Sequence, residues 1–473
     1  MTTVFNRWVL LASMALLAAC ASVPKMDLPS ANRDPVAQAT TAWPTGDAAW
    51  PTADWWTGFD DPALSALIKG VLAANPSLAV ARSHAIAATA VAEGQRSTLS
   101  PQVGMKLAPG REQISANGMF PKPFGGQTFT LVDLAGSLTY RLDLSGSMRA
   151  QLRSREAQAA ASAEEAQRAA EAVAATTARV YYELSAALAD REDLERMQQL
   201  IARNRQIAEV RANLGLDTQA LTRHIVADAE AFREQVAAAE ERVSRARGVL
   251  AALSGSGPDA TADLVPPRVQ SITVVRLPKD MHLSLLSRRA DVRAARDRVE
   301  SVANDRLAAQ RAYLPDLNFQ FLLGLQSRAL DSLFESGSRQ WTVGPALTLP
   351  LFDGGQRRAV NRTEEALYQA VRAQYQQTVV QAVSDVNAAL VSRRGSAEAL
   401  QAAQKALDEE SASLAALKRR YTAGIAAEAD FVQAQMRVLE RTREVSRQLV
   451  RSRWADIDLI ESLGGDAREE PTR

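Results

Sequence analysis

The sequence predicts a mainly α chain with membrane β: long antiparallel α-helical hairpins plus four transmembrane strands per chain, closing as a trimeric α/β barrel-tunnel. Three observations predict it. A strand–turn–long-helix unit occurs twice, through Leu142 to Ala150 and through Leu351 to Ala359, at an offset of about 209 residues; the same offset carries Arg211-Ala-Asn-Leu-Gly215 onto Arg420-Tyr-Thr-Ala-Gly424 and Gly255 onto Gly464. Each unit leads into a proline-free polar stretch longer than one globular domain can bury. Four short segments alternate apolar and polar residues with period two.

Composition narrows the function classes. Aromatics make up 5% of the 473 residues, and Ala, Arg, Gln and Glu dominate the long middle stretches, as suits extended helices. The net charge of +1 provides no strong field for nucleic acid, so no nucleic-acid partner is expected. There is no zinc-type spacing and no Gly-rich phosphate loop, and His84, His224 and His282 lie far apart. With no carboxylate pair or nucleophile–base set either, the chain is not read as an enzyme. It has no catalytic residue, cofactor or metal to assign.

The N-terminus reads as a processing segment. Arg7 precedes an apolar run, Trp8 to Ala19, too short to span a bilayer as a helix. It ends in Leu17-Ala18-Ala19-Cys20, which resembles a bacterial lipobox, with Cys20 as the lipid attachment (palmitate-bearing) residue; an ordinary secretory signal beside a stray cysteine is the alternative. Cys20 is the only cysteine, so no disulfide competes for it. Ala21 and Ser22 follow, and by resemblance to lipoprotein sorting the lack of Asp there favours the outer membrane. Residues 1–19 are thus a signal peptide and 20–60 a lipid-anchored linker. Trp43, Trp50, Trp55 and Trp56 predict that part of the linker packs on the body.

The first repeat is placed at 61–255 and the second at 256–465, with a short tail at 466–473. A helix opens at Asp61-Pro62, breaks near Asn75-Pro76 and stops at Ser100-Pro101. Strands follow near 102–110 and 130–144, and in the second repeat near 316–326 and 340–351. Each has the length a tilted strand needs to cross a bilayer. A half-buried soluble sheet would alternate in the same way. Four strands, however, cannot close a barrel, and an open edge in lipid costs several kcal/mol per unpaired group. Several chains must therefore pool strands. An eight-strand barrel is filled by its own side chains, whereas twelve leave room for a channel, so transport asks for three chains. Asp133, Arg141, Asp143, Asn318 and Gln320 on the polar faces suit a wet interior.

From Ser147 to about Asn213 no proline intervenes. That is roughly 65 to 70 residues, or about 100 Å at the helical rise. A turn at Gly215 leads to a helix from about Thr218 to Leu253. The second repeat matches it with Gln356 to Arg420, a turn at Gly424, and a helix from about Glu428 to Leu463. An antiparallel coiled-coil spacer would show the same pattern. Between the repeats, Leu264 to Leu277 predicts a small irregular patch at the waist, followed by a helix from about Lys279 to Ala312.

Several motifs together resemble the TolC-like outer-membrane efflux proteins, and within them the NodT-type outer-membrane factor lipoproteins. They are the lipobox at Cys20, Trp55-Trp56-Thr-Gly-Phe-Asp-Asp-Pro-Ala-Leu64, Arg288-Arg289-Ala290-Asp291-Val292-Arg293-Ala294-Ala295, Tyr313-Leu-Pro315, Leu349-Pro-Leu-Phe-Asp-Gly-Gly355, and Arg420-Tyr421 ahead of Gly424. The family usually has Pro where Ala290 stands, which predicts a softened helix start. The resemblance implies a homotrimer forming one 12-stranded barrel in the outer membrane, in contact with its lipid, and continued by a periplasmic helical tunnel. A periplasmic adaptor (membrane fusion) protein and an inner-membrane pump would dock at the helix tips. It implies adaptor contact at Leu214, Gly215, Leu216, Ala423, Gly424 and Ile425, although both glycines could serve only the turns. It implies a periplasmic constriction at Arg420, Tyr421 and Asp430, where Asp430 could equally be a solvated surface acid. The function implied is the outer-membrane channel of a tripartite export system for small molecules such as drugs. A type I secretion channel and a non-transporting helical lipoprotein are the alternatives.

Overall fold

The structure is a computed structural model that describes residues 43, 46, 50–119, 123–269, 277–278 and 288–465. Cys20, the segment 1–19, the run 272–275 and the tail 466–473 lie outside the described residues.

A 3-10 turn, Trp55–Phe59, leads into α1 (Pro62–Ala74) and α2 (Pro76–Ser97). Both helices begin with Pro at an early position, where its missing N–H costs nothing. Both are capped by a side chain: Asp61 Oδ1 accepts from Leu64 N at 3.0 Å and Asn75 Oδ1 from Leu78 N at 2.9 Å. Strands β1 (Gln102–Gln113) and β2 (Thr128–Leu142) follow, then α3 (Ser147–Asn213) and α4 (Gln219–Leu253). The second half supplies α5 (Ala290–Arg311), β3 (Asp316–Ser327), β4 (Arg339–Thr348), α6 (Gln356–Thr422) and α7 (Glu428–Ser462).

The repetition is written into the element lengths. α3 and α6 have 67 residues each, α4 and α7 have 35, α2 and α5 have 22, and β1 and β3 have 12. The offset is not uniform. It is 214 up to the first strand of each half (76 to 290, 102 to 316) and 209 from the long helix onward (147 to 356, 219 to 428). Between the end of the first strand and the start of the long helix, the second half is five residues shorter.

Two expectations need correction. The helix expected from Lys279 to Ala312 is interrupted at Arg289, which is extended (φ −70, ψ 124) and serves as the N-cap of α5; Arg288 just before it is helical, and residues 279–287 lie outside the described residues. Ala290 therefore occupies the first helical position, where proline is tolerated. That accounts for the Pro expected there by resemblance. The last strand stops at Thr348 rather than Leu351. Leu351 and Phe352 then stand out at 89% and 92% exposure.

The strands form one antiparallel sheet in the order β1-β2-β3-β4, so β1 and β4 are its edges. The register stacks one apolar face across all four strands, through Val103–Leu138–Phe321–Val343 and Met105–Gly136–Leu323–Trp341. The opposite face is polar, through Gln102–Thr139–Gln320–Gly344 and Lys106–Ala135–Gly324–Gln340. Gln340 reaches over Gly324 to donate to Asp133 at 2.5 Å. Only glycine fits beneath that bridge, since a Cβ at 324 would lie 2.4 Å from the Leu134 carbonyl oxygen.

The core is strung along the helices. α3 is packed by α1, α2, α4, α5 and α7, and alanine is the commonest of its buried residues, which lets helix axes approach closely. The aromatic linker supplies the bulk that alanine lacks. Trp55, Trp56 and Phe59 pack edge-to-face near Tyr181 and Tyr182, in a cluster with Leu64, Ile68 and Ile457. Trp43 is buried against Val386, Ala389, Leu459 and Leu463. The linker thus packs where the tryptophans predicted. In contrast, α2 meets only α3 closely, and exposes Val80, Ile86 and Val91; α6 exposes Val360, Leu367, Val380 and Val391.

Candidate functional site

Three regions of the rod carry unusual chemistry: the junction of sheet and helices, a charged waist, and the tips of the two hairpins.

At the junction each long helix starts on a left-handed glycine, Gly146 (φ 73) or Gly355 (φ 93), with an aspartate just upstream. Asp143 accepts from Met148 N at 3.2 Å, Arg149 N at 3.0 Å and Arg149 Nε at 3.1 Å. Asp353 accepts from Gly355 N at 3.0 Å, Arg357 N at 3.1 Å and Arg357 Nη1 at 2.8 Å. These carboxylates satisfy helix N–H groups that have no partner of their own and oppose the positive end of the helix dipole. Burial works against ionisation of Asp143, but the backbone and guanidinium donors prevail and hold its pKa low. The paired Asp-Gly motifs in the sequence are therefore the devices that turn a strand into a 67-residue helix.

The waist is held by buried guanidinium–carboxylate bonds between elements far apart in sequence. Asp190 on α3 accepts from Arg443 Nε on α7 at 2.6 Å and from Arg242 Nη2 on α4 at 2.5 Å. Asp193, fully buried, accepts from Arg268 at 2.6 Å. Arg289 donates to Asp291 at 2.6 Å, to Asp385 on α6 at 3.0 Å and to the Ser462 carbonyl at the end of α7 at 3.1 Å. Arg293 grips Glu164 with two bonds of 2.9 and 2.6 Å. Asp456 is the exception in its electrostatics. Its burial outweighs Arg393 and Arg453 and pushes its pKa up to about 6. Sequence reasoning missed this layer, though a signal existed. Asp190, Asp193, Leu194, Met197 and Ile201 occupy a single helical stripe, and all are buried. Two acids on an otherwise apolar stripe require partners.

At the tips, both hairpins turn with the same geometry. Gly215 (φ 73) and Gly424 (φ 74) are left-handed. Leu216 N donates to the Arg211 carbonyl at 2.8 Å, and Ile425 N to the Arg420 carbonyl at 2.9 Å. These six-to-one bonds close the helix ends as Schellman caps. No atom lies within 4 Å of a Cβ built at either glycine, so backbone conformation, not crowding, calls for glycine. The turns present Leu214, Leu216 and Ile425 to solvent at 62–69% exposure, with Ala423 and Val210 exposed beside them. The Tyr421 ring stacks on Phe431 at 5.1 Å and 5°, which joins the two helices of its hairpin. Arg420 is exposed and has no ion-pair partner among the described residues. Asp430 is exposed in the first turn of α7. Arg211 is tied to Asp217 at 2.6 Å, and Asp217, with a smaller contribution from the Asp430 charge, raises its pKa. Arg203 on α3 reaches Glu428 on α7 at 2.7 Å, so the two tips of one chain stand side by side.

The family model described as Outer membrane efflux protein matches residues 67–256 and 283–465. The chain belongs to the outer membrane efflux protein family. Multidrug resistance outer membrane protein MdtQ of Escherichia coli O157:H7 is 28% identical over 470 residues, 96% of each chain. Fusaric acid resistance protein FusA of Burkholderia cepacia is 32% identical over 321 residues, 66% of this chain and 60% of that one. Among solved structures, the outer membrane protein VceC from Vibrio cholerae superposes with a TM-score of 0.79 at 28% identity, over 88% of this chain and 100% of that one. The CmeC outer membrane channel of Campylobacter jejuni, at 21% identity, shares the fold with a TM-score of 0.83 over 95% and 96% of the two chains. This efflux protein is thus an outer-membrane transport component with long helices and a small antiparallel sheet.

Proposed function

We propose that three copies of this chain form one conduit through which small toxic molecules leave the periplasm. The open sheet carries this reading. β1 and β4 each have one unpaired edge, and the sheet face with Val103, Met105, Trp341 and Val343 is exposed. In lipid that face is favourable, while the edges are tolerable only if β1 of one copy pairs with β4 of the next. Three sheets of four strands give a barrel of about twelve, wide enough for a channel with the polar face inward. The unpartnered apolar faces of α2 and α6 supply the matching helical contact between copies. The names of MdtQ and FusA, resistance to multiple drugs and to fusaric acid, favour small molecules as cargo.

The finer parts of this proposal rest on the sequence motifs and on the resemblance they carry. The signal segment 1–19 is removed and Cys20 carries the lipid that anchors the linker 20–60. The repeats 61–255 and 256–465 are duplicated halves. A periplasmic adaptor, bridging to an inner-membrane pump, docks on the exposed tips Leu214, Gly215, Leu216, Ala423, Gly424 and Ile425. Arg420, Tyr421 and Asp430 form the constriction. The assembly is tested by the native mass of the detergent-solubilised mature protein: a three-chain mass is expected, and a monomer overturns the proposal. Docking is tested by the double substitution Leu214→Asp, Ile425→Asp. It should abolish drug resistance while leaving the trimer intact; full resistance removes the assignment.

A further inference from the structure

We propose that the cleft where the sheet meets the helices binds the phosphate of an anionic phospholipid, with Arg153 and Arg311 as its principal donors. This rests on the proposal that the four strands cross the outer membrane. The cleft is open, has a volume of about 410 Å³, and is lined by Leu144, Arg149, Leu152, Arg153 and Arg311. It lies just past the C-terminal end of β2 and at the start of α3, beside the end of α5. In a membrane-crossing sheet this is the level of the headgroups on the side where the helices emerge.

The charges there do not cancel. Arg149 is neutralised by Asp143, whose carboxylate also occupies the N-terminal N–H groups of α3. Arg153 is exposed and has no ion pair among the described residues. Arg311 spends Nη1 on the Gly146 carbonyl at 2.9 Å, while its Nε is buried without a hydrogen-bond partner. Burial and the nearby charges of Arg153 and Arg149 lower the pKa of Arg311 despite Asp143. Two unneutralised guanidiniums held near one another need an anion, and planar N–H donors suit phosphate oxygens. Leu144, 60% exposed, and Leu152 add an apolar wall on which an acyl chain can lie. A free phosphate would make no use of that wall, which commits the site to a lipid.

The test uses the full-length trimer, delipidated in detergent and titrated with phosphatidylglycerol, phosphatidylcholine or glycerol 3-phosphate, with bound lipid counted by native mass spectrometry. Phosphatidylglycerol should bind at about one molecule per chain. Arg153→Gln should weaken it about tenfold, the scale of one lost charge-assisted hydrogen bond. Arg153→Lys should restore part of the loss, and Arg233→Gln on α4 should change nothing. Arg153 makes no structural bond among the described residues, so its variant keeps the fold even if Arg311→Gln does not. Equal binding by wild type and Arg153→Gln overturns the inference, as does equal binding of phosphatidylcholine. Full competition by glycerol 3-phosphate marks a small-anion site and overturns the lipid assignment. Each of these outcomes is read on an intact trimer; a monomeric wild type would instead overturn the assembly proposal.

Discussion

Replacing Arg289 by Gln is expected to loosen the waist far more than any surface charge substitution. Arg289 is 3% exposed and donates to two carboxylates and one backbone carbonyl, drawn from α5, α6 and α7. Gln keeps the polarity but not the charge or the reach, and leaves Asp291 without its main counter-charge. Removing one partner of such a buried pair costs about 3–5 kcal/mol. At roughly 1.4 kcal/mol per decade, amide exchange at residues 290–296 should accelerate at least about 100-fold. Arg298→Gln is the control. Its pair with Glu165 is 47% and 43% exposed, so the loss should stay within about 1 kcal/mol, less than tenfold in exchange. The pH dependence gives a second reading. Burial opposes ionisation of Asp291, but the hydrogen bonds and charge of Arg289, aided by Arg168, hold its pKa below the usual carboxylate value. Its contribution to stability is therefore present above the unfolded pKa of about 4 and is lost as pH falls through the lower folded value. Without Arg289, burial is opposed only by the Arg168 charge and the Val292 N–H, so the pKa of Asp291 rises from its wild-type value. The variant then loses less stability than wild type as acid protonates Asp291. The gap between wild type and variant should narrow as pH falls through about 4. Equal exchange in Arg289→Gln and Arg298→Gln, or a gap independent of pH, would refute the reasoning.

Other outcomes follow from single sites. Asp456, with its pKa raised to about 6 by burial against the pull of Arg393 and Arg453, penalises the fold when ionised, so wild-type stability should rise as pH falls through 6 toward 4. Two pKa units correspond to about 3 kcal/mol, and Asp456→Asn should flatten this slope in thermal melts; an unchanged slope would assign the pH dependence elsewhere. Gly324→Ala drives a Cβ into the Leu134 carbonyl, and should reduce the fraction of heat-resistant trimer on gels. Gly424→Ala meets open space and incurs only the left-handed backbone penalty of about 1 kcal/mol, so exchange should quicken at the tip but not at the waist. If Asp430 forms an acidic ring in the trimer, Asp430→Asn should weaken cation block of single-channel current, and unchanged block would remove that role.

Most of the architecture was legible because its signals are local. Proline and glycine fix the ends of α1, α2, α3 and α6, and period-two alternation exposes the strands. The duplicated spacing predicts that each half folds alike. The tip glycines could be identified for the same reason, since a left-handed cap depends on one residue and its chain neighbours. The waist was not legible. Asp190 meets Arg443 from 253 positions away, and nothing near either residue names the other. The Arg153–Arg311 cleft was hidden in the same way, as two ordinary arginines on separate helices.

The sequence by itself determined which segments are helix, which are strand, and that one chain cannot seal its own sheet, because periodicity and hydrogen-bonding capacity are properties of the segment. Only the tertiary structure decided which buried charges cancel and which are left over, because Coulomb attraction and desolvation depend on distances in space that the order of residues does not encode.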